Sequence, residues 1–193
     1  IKNNLNQSTS NKIYLVDYES NLVEFLIISK GLKFEIDNLT KIKLYNEYFG
    51  TNMSSIVFQD LRESQGLAYS VYSSYSMPKK NNDIHFSVSY MSTQVQKLSI
   101  AIEEFIKLID NMPISEDTFN NTKKSIQQKI CSNRITKKAI LEEYEKLQKL
   151  GIEHDIRRDI YSQLSSIQLK DIIDFQKNHI ANVIIRYNVV HTG

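Results

Sequence analysis

Two runs of alternating side chains, residues 67–77 and 84–91, restrict this chain more than any other feature. In the first, Leu67, Tyr69, Val71, Tyr75 and Met77 alternate with Ala68, Ser70, Tyr72, Ser74 and Ser76. In the second, Ile84, Phe86, Val88 and Tyr90 share one side. A period of two is the period of a strand, because successive side chains leave the backbone on opposite faces. The polar segment PKKNND between the runs predicts a hairpin with a loop of about six residues.

The segments around this hairpin change period. Asp37 or Asn38 can cap a helix carrying Leu39, Ile42, Tyr45 and Phe49, and Gly50 ends it. A shorter helix follows with Met53, Ile56, Val57 and Leu61 on one face, and Gly66 breaks the chain. After the hairpin, Val95, Leu98, Ile102, Phe105, Ile106 and Ile109 form a helical stripe. Ser115 then caps a helix with Phe119, Lys123, Ile126 and Ile130 at steps of three and four. Residues 136–150 continue helical to a stop at Gly151, and another helix starts near Asp155. A last helix follows Ser165 and Ser166, carrying Leu169, Ile172, Ile173 and Gln176. Near the ends of the chain, KIYLVDY (12–18), LVEFLIISKG (22–31) and VIIRYNVV (183–190) read as strands, with a turn at the polar ESN between the first two. The expected fold is α+β: a two-layer structure with a mostly antiparallel sheet of about five strands, covered by helices on one face. Residues 1–11 are polar and without period and read as a flexible entry or linker remnant; residues 12–193 read as one domain.

Composition excludes several classes. The net charge of +2 gives no electrostatic case for nucleic acid. The single cysteine, Cys131, cannot form an intrachain disulfide and reads as a half-buried helical residue. No apolar run approaches the roughly 20 residues of a membrane span. The chain starts at Ile1 and is expected to be cut from something longer, so a targeting signal can lie outside it and the compartment stays open. No two of the four histidines (His85, His154, His179, His191) lie within five residues of each other, so no H-x3-H metal pair exists. His154 reads as a helix-start residue, and His85 alternates to the serine side of its strand and reads as surface. Glu103-Glu104 and Glu142-Glu143 are adjacent on helices and point apart, so neither is an acid–base dyad. Phosphate-binding and nucleophile motifs are absent as well. Alone, the chain reads as non-catalytic.

Residues 45–78, YNEYFGTNMSSIVFQDLRESQGLAYSVYSSYSMP, carry one more signal. Phe49-Gly50, Met53-Ser54-Ser55, Phe58, Leu61-Arg62-Glu63 and Gly66-Leu67-Ala68-Tyr69-Ser70 stand at set spacings. This pattern resembles the non-catalytic domain of the M16 zinc metallopeptidases, which include insulin-degrading enzyme, pitrilysin, presequence protease and the mitochondrial processing peptidase. The resemblance implies a partner: a catalytic domain or subunit bearing the zinc motif H-x-x-E-H, which this sequence lacks. It implies no cofactor in this domain and zinc in the partner. The two halves would enclose an unfolded peptide substrate as part of a zinc-dependent endopeptidase. Arg62 would hold a substrate carbonyl, and Tyr69 would donate its hydroxyl to the oxyanion formed as the peptide bond is attacked. The loop Gly50, Thr51, Asn52 would lie near substrate; relatives often have glycines where Thr51 and Asn52 stand. Read from the residues alone, Arg62 can instead balance the negative end of its helix, and Tyr69 can be a core aromatic. The other function class is a catalytically inert scaffold or interaction module of the same fold. A nucleic-acid platform built on Tyr69, Tyr72, Tyr75, Phe86 and Tyr90 is disfavoured, because the alternation puts most of them with apolar residues and basic residues are not concentrated there.

Overall fold

The nearly continuous apolar run near the N-terminus becomes the long strand β2 (Val23–Lys33), whose one face (Val23, Phe25, Ile27) is fully buried. The computed structural model describes residues 12–17, 21–181 and 186–192; the expected linker at 1–11 and most of the turn at 19–21 lie outside them. Five strands form one sheet: β1 (Lys12–Asp17), β2, β3 (Ser70–Ser76), β4 (Ile84–Thr93) and β5 (Arg186–Thr192), in the order β1-β5-β2-β4-β3. All neighbours are antiparallel except β1 and β5. The C-terminal strand therefore separates the first two, which are not neighbours.

Six α-helices follow the expected stripes: α1 (Leu39–Phe49), α2 (Leu98–Asp110), α3 (Glu116–Ser132), α4 (Lys137–Lys149), α5 (Ile156–Leu164) and α6 (Leu169–Gln176). Ser115, Thr136 and Asp155 cap α3, α4 and α5 through their side chains, each taking an otherwise orphaned helix N–H. Asn38 stands at the cap position of α1 but makes no such bond; its amide goes to Glu35. The helices pack on the sheet through aromatic contacts. Phe105 of α2 meets Phe25 of β2 edge-on at 5.7 Å, and Phe175 of α6 meets Tyr75 of β3 at 5.6 Å. Among the described residues no helix is long and apolar enough to cross a membrane.

Three expectations change. His85 is buried, at 2% exposure, not on the surface. In β4 the serine side, His85, Ser87 and Ser89, faces the helices, while Ile84, Phe86, Val88 and Tyr90 lie half-buried on the open face. On that side Ser73 and Ser89 share a buried hydroxyl–hydroxyl bond at 2.8 Å, and His85 stacks on Tyr75. Met53 and Val95 are exposed, since each sits in a turn before the helix to which spacing assigned it. Cys131 is exposed, because α3 turns Phe119, Thr122 and Ile126 inward and residue 131 falls off that stripe.

Among the described glycines, Gly50, between the end of α1 and β3, has the least room for a side chain. A methyl group at Gly50 would stand 2.1 Å from the Ser73 carbonyl oxygen. At Gly66, by contrast, the space is open and only the left-handed φ of +59° asks for glycine. Gly50→Ala is expected to cost about 3 kcal/mol of stability, the upper end for overpacking, and Gly66→Ala about 1 kcal/mol. Urea midpoints of the two variants check this, and equal losses would show that backbone conformation outweighs the close approach.

Candidate functional site

The segment before Gly66 does not wind as an ordinary α-helix. Phe58–Ser64 forms a π-helical turn, with the Gln65 N–H donating to the Asp60 carbonyl five residues back at 3.0 Å. Such turns are rare and collect at functional sites. Arg62 lies in its last turn, where its charge also complements the negative helix end. Its guanidinium sits 4.8 Å from the centroid of the Phe58 ring and 3.8 Å from Glu63. Both partners are local in sequence, and the side chain remains 44% exposed.

The turn from this segment into β3 is held from several sides. The Leu67 and Ala68 N–H groups both donate to the Leu61 carbonyl, at 2.8 and 3.1 Å. Lys97 donates to the Gly66 carbonyl at 2.9 Å, and Thr93 to that of Leu67 at 2.6 Å. Tyr69 emerges from this clamp 72% exposed, although parity along the strand groups it with buried Val71 and Tyr75. The backbone explains the departure. The N–H groups of Ser73 and Tyr75 point away from β4, to Gly50 and Asn46, and the same parity would turn that of Tyr69 away too. Instead it donates to Ser92 of β4 at 2.8 Å. The chain is twisted at Tyr69, and the side chain leaves the core face. No hydrogen bond joins Tyr69 to Arg62 among the described residues; what the two share is exposure on either side of one clamped turn.

Beside this turn lies the open face of the sheet. Tyr72 and Tyr90 are cross-strand partners and stack at 5.4 Å with an interplanar angle of 25°. Burial and a hydrogen bond with Glu24 both push the Tyr90 hydroxyl above its ordinary pKa. Leu26, Ile28, Val88 and Phe86 extend the same apolar face by register. On the covered face, Tyr75 and His85 stack at 4.7 Å. His85 Nδ1 lies 2.8 Å from the Ser76 carbonyl oxygen, and burial lowers the pKa of the ring.

The loop after α1 is tied down. Gly50 is buried against Ser73; Thr51 donates to the Asn46 carbonyl at 3.0 Å; Asn52 donates to both the backbone and the carboxylate of Glu47. Nothing in the sequence marks Glu47 as an anchor, since Lys129, which joins the nearby Lys43 and Asn52 on its carboxylate, stands 82 residues away. Burial alone would raise its carboxyl, but the hydrogen bonds from Lys129, Asn52 and Lys43 outweigh burial and hold it at about 2. A folded-state pKa below the unfolded value of about 4.3 gives stability that is complete above that value and lost as pH falls toward 2. Glu47→Gln is therefore expected to lower the unfolding free energy at pH 7 by about 1.5–3 kcal/mol, with the deficit closing in acid. Denaturation curves at both ends of this range check it; a deficit independent of pH would assign the loss to packing.

Among the described residues no group of His, Cys, Asp and Glu is placed to hold a metal ion. The chemistry available at the turn is hydrogen-bond donation from a cation and a phenol, beside an aromatic sheet face.

Comparison with known proteins gives a consistent picture. The family description "Peptidase M16 inactive domain" matches residues 12–126. A Bacillus subtilis protein named as an uncharacterized zinc protease, YmxG, is 26% identical over 143 residues, covering 74% of this chain and 35% of its own length. A Helicobacter pylori protein named as a non-peptidase homolog, YmxG, is 25% identical over 177 residues, covering 88% of this chain and 39% of its own. Among solved structures, a protease from Helicobacter pylori superposes with a TM-score of 0.79 at 12% identity, over 96% of this chain and 44% of that one. A peptidase M16 inactive domain from Pseudomonas fluorescens gives 0.76 at 14% identity, over 94% and 43%. The chain thus spans less than half the length of these relatives.

Proposed function

The chain belongs to the peptidase M16 inactive domain family, and from that premise we propose that it is the non-catalytic half of a divided peptidase. Its companion, in the same polypeptide or in another subunit, would carry the H-x-x-E-H zinc motif. The half described here would help enclose an unfolded peptide and present Arg62 and Tyr69 to it. The observation that carries this reading is the exposure of Tyr69, a large aromatic side chain turned out of the core at a turn held by four hydrogen bonds. A core tyrosine would have been left on the face that parity assigns to it.

The roles follow from donor chemistry. Arg62, held loosely by local partners, can give charge-assisted hydrogen bonds to a peptide carbonyl and fix its position. Tyr69 can donate its hydroxyl where negative charge develops on that carbonyl oxygen; a donor aimed there acts more on the transition state than on the substrate. The open face with the Tyr72–Tyr90 stack offers apolar and aromatic surface for peptide side chains. Attack on the peptide bond, and the zinc that supports it, belong to the companion half. One observation favours a second reading. A relative matching most of this chain is named a non-peptidase homolog, and in that setting the domain would be a catalytically inert scaffold of the same fold.

In the intact protein with its companion half, Tyr69→Phe is expected to lower kcat/KM on an unstructured peptide by about 10-fold or more; loss of one such donor typically costs about 10²–10³. Because Tyr69 is exposed, stability should stay within about 0.5 kcal/mol of wild type. Bound zinc should be unchanged. Arg62→Ala should act mainly on KM. A Tyr69→Phe variant as fast as wild type would remove the oxyanion role, and a wild type without zinc or activity would favour the scaffold.

A further inference from the structure

The back of the domain, away from the sheet, holds a groove of about 940 Å3 between α1, α3, α4 and α5. That volume lies in the range of small-molecule sites. The groove exists because α4 is held at one end only. Leu147 is the only residue of α4 that is buried, and it joins Leu150, Ile152, Phe34 and Leu39 in a small cluster separate from the main core. The first turns of α4 stand off from α3. The floor between them is aliphatic, with Ile42, Ile126, Ile130, Leu147, Ile156 and Ile160 among its residues. Their side chains offer an occupant hydrocarbon contact, and the uncharged polar residues beside them are Asn46, Ser132 and Asn133.

The rim has the opposite character. Six basic side chains line the groove against two acidic ones, Glu143 and Asp155, in a chain whose net charge is only +2. Four of the six already hold a protein carboxylate. Lys43 and Lys129 bond to Glu47, Lys146 lies 4.0 Å from Glu143, and Arg157 pairs with Asp155. Lys79 and Lys149 make no ion pair among the described residues. They line the same groove, and the Asn81 N–H, which donates to the Lys149 carbonyl at 3.1 Å, fastens the hairpin loop to the end of α4. Lys149 partly serves to balance the negative end of α4, but Lys79, on a loop, has no helix end to balance.

We propose that this groove binds a long-chain fatty carboxylate, its hydrocarbon chain along Ile126, Ile130 and Leu147 and its head group at Lys79 and Lys149. The occupant follows from two complementarities: a largely aliphatic floor, and a cationic rim with two of its six charges lacking the carboxylate that the others have. This site is distinct from the turn at Gly66 and does not depend on peptidase activity.

The test is calorimetric titration of the intact protein with laurate below its micellar concentration. Dodecyltrimethylammonium, dodecyl phosphate and a Glu-rich amphipathic peptide serve as comparators. Laurate is expected to bind saturably, one per chain, at least about 10-fold tighter than the cationic amphiphile of equal length. K79E/K149E, a change at exposed positions, should weaken laurate by about 10-fold or more while leaving the circular dichroism spectrum unchanged and lowering the melting temperature by no more than about 4 °C, the loss expected from a reversed charge at the end of α4. Ile130→Asp should weaken it as well. Equal affinity for both head-group charges, or a K79E/K149E variant that binds as wild type, would overturn the site. Tighter binding of dodecyl phosphate would overturn the carboxylate assignment, and tighter binding of the peptide would hand the groove to a protein partner.

Discussion

The structure depends on how the last turn of α1 meets the edge of the sheet. β3 is an edge strand, and an edge strand leaves a row of backbone groups unpaired. Here α1 supplies the partners. The Asn46 side-chain amide donates to the Tyr75 carbonyl and accepts from the Tyr75 N–H, at 3.0 and 2.7 Å, and the Gly50 carbonyl accepts from the Ser73 N–H at 3.1 Å. A helix can come this close only without a side chain at residue 50, where a Cβ would meet the Ser73 backbone, which accounts for Gly50. With α1 fixed to β3, the chain between them has little freedom. It must return along the π-helical turn, and the clamped turn at Gly66 then delivers Tyr69 to the mouth of the open sheet face. The ion-paired Glu47 fastens the same region to α3 from behind.

Much of this was legible in the amino-acid order, and the exceptions have physical causes. Strand and helix periods located the hairpin and the α-helices that bury a face, because the pattern records it; α4, with only Leu147 buried, was bounded by Thr136 and Gly151 instead. Capping residues fixed the starts of α3, α4 and α5. The covered face of β4 was not legible, since the rule that the more apolar side faces the core fails where the polar side chains find buried partners, as Ser89 does in Ser73 and His85 in Ser76 and Tyr75. His85 was misplaced for that reason. The insertion of β5 between β1 and β2 was not legible either, because pairing over that separation leaves no local trace.

The site divided in the same way. Arg62, Gly66 and Tyr69 stand in a run dense enough to be read directly. Parity pointed the wrong way for Tyr69, and only the bond from its N–H to Ser92 shows why it leaves the core. Glu47 was invisible because Lys129 stands 82 residues away, and the groove at α4 because its members come from several separate segments. What lies within one short run could be singled out from the sequence, whereas anything assembled across the helical layer had to await the fold.

The position of β5 carries a consequence for how the domain forms. It is the last of the five strands to be synthesised, yet it lies inside the sheet, with Tyr187 opposite Lys12 on one side and Ile28 on the other. Contacts between such distant residues are slow to form, since the chain entropy lost in closing the loop precedes any gain from pairing. Until residues 186–192 arrive, one edge of β2 stands open and β1 has no neighbour, while β2, β4, β3 and α1 can already assemble. The domain would then fold in two stages, with the half that bears the Gly66 turn complete before the half that joins the ends of the chain, and the interval is when the exposed edge of β2 would be most prone to pair with another molecule.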